Sequence, residues 1–268
     1  VALETKGGNW DDLKVRVASG AVMAAIGVAA ILAGGVWFQM LAVFVTAVMV
    51  WECWIMIRGA SPTSGMLLAA AVASILSAQV FGGTQSNNFY ALFLAVPIIG
   101  AVVLDRERIT FFIFALAIQI AGYGLVHFRI DYGFTWLIWL VSIVVVTDIA
   151  GYFAGKSLGG PKFWPAISPK KTWSGTIGGW IGAALVGILF MQMTNAGWSI
   201  VVLSVVISFA GQMGDIAESA LKRRQGVKDS SALIPGHGGL FDRFDALLGA
   251  SLFMLAVASL FNVPGVAF

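Results

Sequence analysis

A chain of 268 residues that is 59% hydrophobic before its 32 glycines are counted, and only 11% charged, lacks the polar shell a soluble globule needs. With a mean hydropathy of +0.91, most of it must be solvated by lipid, which excludes an ordinary soluble enzyme. One cysteine, Cys53, and two histidines, His127 and His237, exclude a disulfide framework, a thiolate zinc site and a histidine cage. The net charge of +3 would suit nucleic acid, but where the basic residues lie argues for no nucleic-acid partner and for a lipid bilayer instead.

Uninterrupted apolar runs, measured against the roughly 20 residues that cross a bilayer, predict nine spans. They fall at 17–33, 36–57, 66–81, 89–104, 109–126, 134–155, 175–194, 197–221 and 246–264. The expected fold class is therefore an all-α polytopic integral membrane protein. It reads as one continuous membrane domain, with a five-helix N-terminal region over 1–133 and a C-terminal region over 134–268. The first sixteen residues carry Glu4, Lys6, Asp11, Asp12, Lys14 and Arg16 with no short apolar core and cleavage site, so no signal peptide is expected. With the N-terminus inside, alternation puts fifteen of the sixteen Lys and Arg on one side; the exception is Arg129, in a loop at 127–133. The positive-inside rule then predicts a cytoplasmic N-terminus and an external C-terminus. Without the short span 66–81 the split falls to eleven against five, which is why nine crossings are expected. Two inner loops, 156–174 and 222–245, hold nine of the fifteen inner basic residues, so the chemistry is expected on that face, on something anionic.

Along the chain, four acidic residues sit in or at the ends of apolar spans, where a lone charge costs on the order of 2.5–3.5 kcal/mol. Glu52 stands alone in Trp51-Glu52-Cys53-Trp54 and reads as a snorkelling or packing-satisfied carboxylate, with function as the alternative. Asp148 shares a helix face with Tyr152 and Lys156, and the glycines at 151 and 155 let another helix or a substrate approach. Gly155-Lys156-Ser157 imitates the end of a P-loop, but position 150 is Ala and no strand precedes it, so a Walker site is rejected. The loop that follows carries Lys170, Lys171 and Trp173 among Pro161, Pro165 and Pro169, which prevent a continuous helix there. Gly175, Gly178, Gly179 and Gly182 have small-xxx-small spacings that suit helix packing. Further on, Asp215, Glu218, Ser219 and Lys222 form one polar stripe that suits a ligand wall. A helix-end ion pair between Glu218 and Lys222 is the plainer reading, but it leaves Asp215 unexplained.

The run from Ser219 to Asp245 concentrates these signals. Lys222, Arg223, Arg224 and Lys228 offer cationic donors to phosphates. Gly236, Gly238 and Gly239 allow close backbone approach to an anion. Asp242 and Asp245 can face one way at the start of the last span. With Asp215 they supply the all-oxygen donor set that Mg²⁺ prefers, so cations and carboxylates together imply phosphate plus metal. His237 lies among glycines, as in a turn that positions a donor, and reads as a structural residue or a substrate contact before an acid or base.

This run resembles the signature of the phosphatidate cytidylyltransferases, also called CDP-diacylglycerol synthases. Ser219, Lys222, Arg223, Lys228, Asp229, Pro235, His237, Gly238, Gly239, Asp242, Arg243 and Asp245 fall in register with it. Three further stretches are similar to that family's: Asp148-Ile-Ala-Gly-Tyr-Phe-Ala-Gly, Ser168-Pro-Lys-Lys-Thr-Trp-Ser-Gly and Gln212-Met-Gly-Asp-Ile-Ala-Glu-Ser. The likeness covers roughly 145–245. It departs at Ser174, where Glu is expected, and at Gly151, which separates Ala150 from Tyr152.

The resemblance implies transfer of the cytidylyl group of CTP to phosphatidic acid, giving CDP-diacylglycerol and pyrophosphate, at the cytoplasmic face of a bacterial inner membrane. It implies catalytic roles for Asp215, Lys222, Arg223, Asp242 and Asp245. Substrate contacts are implied for Asp148, Lys170, Lys171, Thr172, Ser219, Lys228, His237, Gly238, Gly239 and Arg243. A metal set of Asp215, Glu218, Asp242 and Asp245 would bind Mg²⁺, with a second metal ion or a monovalent cation left open, as is a homodimer. Two other classes compete: a transporter or channel for an anionic metabolite, and a different membrane phosphotransferase. The transporter reading is weaker, because the polar residues gather at one end of spans six to nine instead of lining a path through both leaflets.

Overall fold

The computed structural model describes residues 9–59, 62–82 and 91–260. Its elements are α1 (Asn9–Ala33), α2 (Gly35–Arg58), α3 (Pro62–Phe81), a 3₁₀ turn (Ala91–Leu94) running into α4 (Ala95–Val103), α5 (Arg108–Tyr132), α6 (Phe134–Leu158), β1 (Lys162–Trp164), β2 (Ser168–Thr172), α7 (Trp173–Met193), α8 (Ser199–Gln225) and α9 (Phe241–Leu260). Among the described residues, eight helices are long and apolar enough to cross a membrane. The fourth expected span is shorter: Ala91–Val103 covers about 20 Å of helix against a bilayer core of roughly 30 Å. It begins level with Tyr123, whose ring meets Phe93 at 5.2 Å, and the charges of Asp105, Arg106 and Glu107 end it. Residues 1–8, 89–90 and 261–264, which include Glu4, Lys6 and the edges of two expected spans, lie outside the described residues.

Elsewhere the helices outrun their apolar stretches. The expected 127–133 loop is instead nearly two further turns of α5, which ends on Gly133 at φ 86°. α8 continues through Lys222, Arg223 and Arg224, cations that favour a helix C-terminus, and stops at Gly226 in the left-handed region at φ 70°. α9 starts at Phe241, ahead of the apolar run at 246, so Asp242 and Asp245 are already helical. Apolar counting stops at the first charge, whereas a helix continues wherever that charge is paired or reaches the headgroups. The loop at 156–174 departs from the all-α expectation in a small way. β1 and β2 form an antiparallel hairpin that pairs Lys162 with Thr172 and Trp164 with Ser168.

Two apolar clusters hold the bundle together. One joins Val50 and Trp54 of α2, Val72 and Leu76 of α3 and Phe111 of α5 to Leu221 of α8 and Phe241 of α9. The other joins Trp139 and Ile143 of α6 to Ala183, Ile207, Ala250 and Met254. Each draws on helices from both sides of residue 133. Polar pairs, the first two of them buried, tie α6, α7 and α8: Trp139 donates to Ser204 at 3.0 Å, Thr147 to Ser208 at 2.8 Å and Trp180 to Gln212 at 3.0 Å. The chain ends of these elements sort into two layers. Arg224 meets Glu107 at 2.6 Å at one end, while Arg129 packs over Gly34 and against the Phe134 ring at the other. The Thr110 hydroxyl, and then Arg224, hold the Glu107 carboxyl below its usual range.

Glycine sets the closest approaches. A Cβ on Gly175 would stand 2.8 Å from the Gly151 carbonyl, so α6 and α7 touch backbone to backbone. Gly214 of α8 likewise lies on the Asp245 carbonyl and would place a Cβ 2.9 Å from the Gly249 nitrogen. Those obstacles are backbone atoms of α9 and cannot rotate aside. Gly214→Ala is therefore expected to cost about 1–3 kcal/mol by overpacking. Thermal unfolding in detergent checks this, and an unchanged midpoint would contradict the contact.

Candidate functional site

The β1–β2 hairpin, where Pro165 and Pro169 forbid helix and favour extended chain, packs against α7 and α8. Thr172 then caps α7: its hydroxyl accepts from the Gly175 N–H at 3.2 Å, which starts the helix where the strand stops. Between hairpin, α6, α7 and α8 lies a cavity of about 360 Å³, lined by Asp148, Tyr152, Lys156, Phe163, Lys170, Lys171, Thr172 and Gln212. Gly151, Gly155 and Gly175 complete its wall. Four expected substrate contacts, Asp148, Lys170, Lys171 and Thr172, thus share one space. Lys156 reaches the Tyr152 hydroxyl at 3.4 Å.

The carboxylates form one acidic cluster that receives two cations. Asp215 pairs with Lys171 from the hairpin and accepts from the Ser219 hydroxyl at 3.3 Å. Asp148 and Asp245 lie close enough for their charges to act on Asp215 and on each other. Glu218 and Asp242 share Lys222 instead, whose Nζ stands 2.5 Å from the first and 2.6 Å from the second. Glu218 is fully buried, so Lys222 is its charge compensation.

The second Asp242 oxygen is occupied by the loop. It accepts from the Ser230 N–H and hydroxyl and from the Gly239 N–H, each at 2.8 Å. Gly238, at φ 80°, leaves the room this needs, since a Cβ there would lie 2.7 Å from that oxygen. His237 is pinned by α1: its Nδ1 lies 2.8 Å from the Ser19 hydroxyl, which also reaches the Pro235 carbonyl at 3.0 Å. Arg243 is exposed; its Nε donates to the His237 carbonyl at 3.1 Å, and its charge reaches Asp148. Arg223 is also exposed and steadies the hairpin turn through the Ile167 carbonyl at 3.4 Å. Lys228 is exposed on the loop, outside the cavity lining.

Sequence reading missed Ser19, Ser230 and Ser231, polar residues with no periodicity to mark them. It also missed Gln212, although that residue sits one turn from Asp215 on the same helix face. Glu52 did carry a signal, as a lone carboxylate in an apolar helix, but no sequence pattern pairs it with Ser231, whose hydroxyl it accepts at 2.6 Å.

Among the described residues, no three carboxylate, His or Cys side chains converge as they would around a metal ion. An Mg²⁺-like ion needs only one or two carboxylates, with phosphate oxygens and water completing its shell. Asp215 and Asp245 meet that requirement, being all-oxygen donors on helices held together at Gly214. Asp215 is itself paired with Lys171, as Glu218 and Asp242 are with Lys222, but with 28% of its side chain exposed against 0% and 3% it is the more open to an ion.

The sequence model of the cytidylyltransferase family matches residues 14–261. A phosphatidate cytidylyltransferase of Brucella suis is 46% identical over 137 residues, covering 50% of this chain and 51% of that protein. Its counterpart in Staphylococcus haemolyticus is 34% identical over 195 residues, 69% of this chain and 75% of the relative. That of Bacillus subtilis is 37% identical over 185 residues, 64% and 68%. The match thus spans about half the length of the Brucella relative and a larger share of the other two.

Proposed function

The chain belongs to the cytidylyltransferase family, and on that premise we propose that it transfers the cytidylyl group of CTP to phosphatidic acid in a bacterial cytoplasmic membrane, with the site facing the cytoplasm. The observation that carries this reading is the Lys171–Asp215 pair at a cavity into which Asp148, Lys156 and Lys170 also project. Such a site offers cations to the CTP phosphates and carboxylates to a divalent ion. A transporter is not favoured by this family membership.

In the proposed step, an oxygen of the lipid phosphate attacks the α-phosphorus of CTP in line. The bond from that phosphorus to the bridging oxygen breaks, and pyrophosphate leaves with its electron pair. A phosphomonoester with a second pKa near about 6 is already largely ionised at neutral pH, so no strong base is needed. Lys170, Lys171 and Lys156 would neutralise and align phosphate oxygens, and Arg223 and Arg243 would add forked donors at the rim. Asp215 and Asp245 would hold Mg²⁺, which neutralises developing phosphate charge when bound. The outward aromatic residues Trp164 and Trp173, 47% and 43% exposed, suit headgroup depth beside the cavity.

The test is pyrophosphate release by detergent-solubilised protein given CTP, phosphatidic acid and Mg²⁺, with each omitted in turn. Release that requires the lipid, with a cytidine-labelled lipid product, is the expected result. No release from folded protein across several nucleotides and divalent ions would overturn the reading. Within that assay, Lys171→Ala is expected to lower kcat/KM for CTP roughly 10- to 100-fold, the worth of a hydrogen bond to a charged group. Unchanged kinetics would remove Lys171 from the phosphate site.

A further inference from the structure

Glu52 comes from α2, in the half of the chain that contributes nothing to the cavity, yet it is fully buried against the signature loop. Its carboxylate faces four donors, one of which, the Ser230 hydroxyl, shares its single hydrogen with Asp242. Two come from one limb of the loop, the hydroxyls of Ser230 at 3.2 Å and Ser231 at 2.6 Å. Two come from the other limb, the N–H groups of Leu240 at 3.0 Å and Phe241 at 2.6 Å. The last two are orphan donors at the N-terminus of α9, where the helix dipole favours negative charge. Gly239 completes the fit, since a Cβ there would collide with both Ser230 and the Glu52 carboxylate. Snorkelling is therefore ruled out: the side chain points inward and is saturated by loop donors.

We propose, resting on the function assigned above, that Glu52 is a positioning residue for the reaction. Its carboxylate clamps the two limbs of the 230–241 loop onto the start of α9. Ser230, one of the clamp's donors, and Gly239, which precedes another, are the same residues that hold Asp242. Through that shared contact Glu52 sets the orientation of Asp242, Arg243 and Asp245 without touching substrate. Two of the four partners, the Leu240 and Phe241 N–H groups, can only donate. Gln is isosteric, but whichever oxygen its amide nitrogen replaces, it meets one of those N–H groups donor against donor and forces the neighbouring Ser hydroxyl to turn and accept. Asp keeps the carboxylate but is one methylene too short to reach both limbs.

The experiment compares wild type, Glu52→Gln and Glu52→Asp in detergent by turnover, divalent-ion requirement, thermal midpoint and amide exchange. Both variants are expected to lose kcat on the order of 100-fold, the scale of a misplacement near 1 Å. The KM for CTP should change little, the Mg²⁺ needed for half-maximal rate should rise, and exchange should accelerate selectively over 230–241. If Glu52→Gln does not fold, Glu52→Asp carries the same comparison. A folded variant with wild-type kcat and Mg²⁺ requirement, or exchange over 230–241 equal to wild type, would overturn the proposal. Should the wild-type protein transfer no cytidylyl group, the function assignment fails, and the exchange comparison alone decides whether Glu52 holds the loop.

Discussion

Asp215→Asn is expected to abolish measurable cytidylyl transfer, a loss on the order of 1,000-fold or more, while the protein folds normally. Asn keeps the shape of Asp and one oxygen to accept from Ser219, so the local packing survives. What it loses is the charge that pairs with Lys171 and would bind a divalent ion. Both members of the Lys171–Asp215 pair are about a quarter exposed, at 27% and 28%, so Lys171 can be resolvated once its partner is gone. Removing one of three carboxylates whose charges act on one another also relieves repulsion with Asp148 and Asp245. Activity should therefore vanish with the thermal midpoint in detergent unchanged or slightly raised. Pyrophosphate release and thermal unfolding on one preparation check both halves. Turnover within a few-fold of wild type would remove Asp215 from the centre.

Lys222→Met should cost stability as well as turnover. The ammonium sits between Glu218 and Asp242, whose side chains are 0% and 3% exposed, and its removal strands two carboxylates away from water. Breaking a buried ion pair on one side costs about 3–5 kcal/mol. The added change Glu218→Gln removes one stranded charge, so the double variant should recover much of the stability and none of the turnover. That split separates the two roles of Lys222. If Lys222→Met unfolds at the wild-type midpoint, the buried triad does not compensate as its distances indicate.

The predicted spans located most of the helices because bilayer thickness imposes a length that composition alone reveals. Their ends were less legible, as the 127–133 stretch shows: it was expected as a loop and is nearly two further turns of α5. The hairpin at 162–172 was foreseen only as a place where helix fails, since prolines exclude a structure without specifying its replacement. Asp148 and Asp215 were readable as candidates because a membrane penalises stray charge, whereas Lys171, in a loop, was singled out by the likeness of its motif. Their grouping was not readable, because helix periodicity tells which residues share a face but not which face meets which.

The sequence by itself determined that this chain is a helical membrane protein with cations and carboxylates gathered at two of its later loops. Both conclusions follow from transfer free energies and side-chain chemistry, which are local properties. Only the tertiary structure decided that Lys171 goes to Asp215 and that Lys222, already within i,i+4 reach of Glu218, also answers Asp242. It also decided that Glu52, far away in sequence, closes the signature loop. Those pairings depend on how glycine-thinned helices such as α8 and α9 come to lie backbone to backbone. Such a contact is a matter of long-range geometry, to which neither hydropathy nor spacing responds.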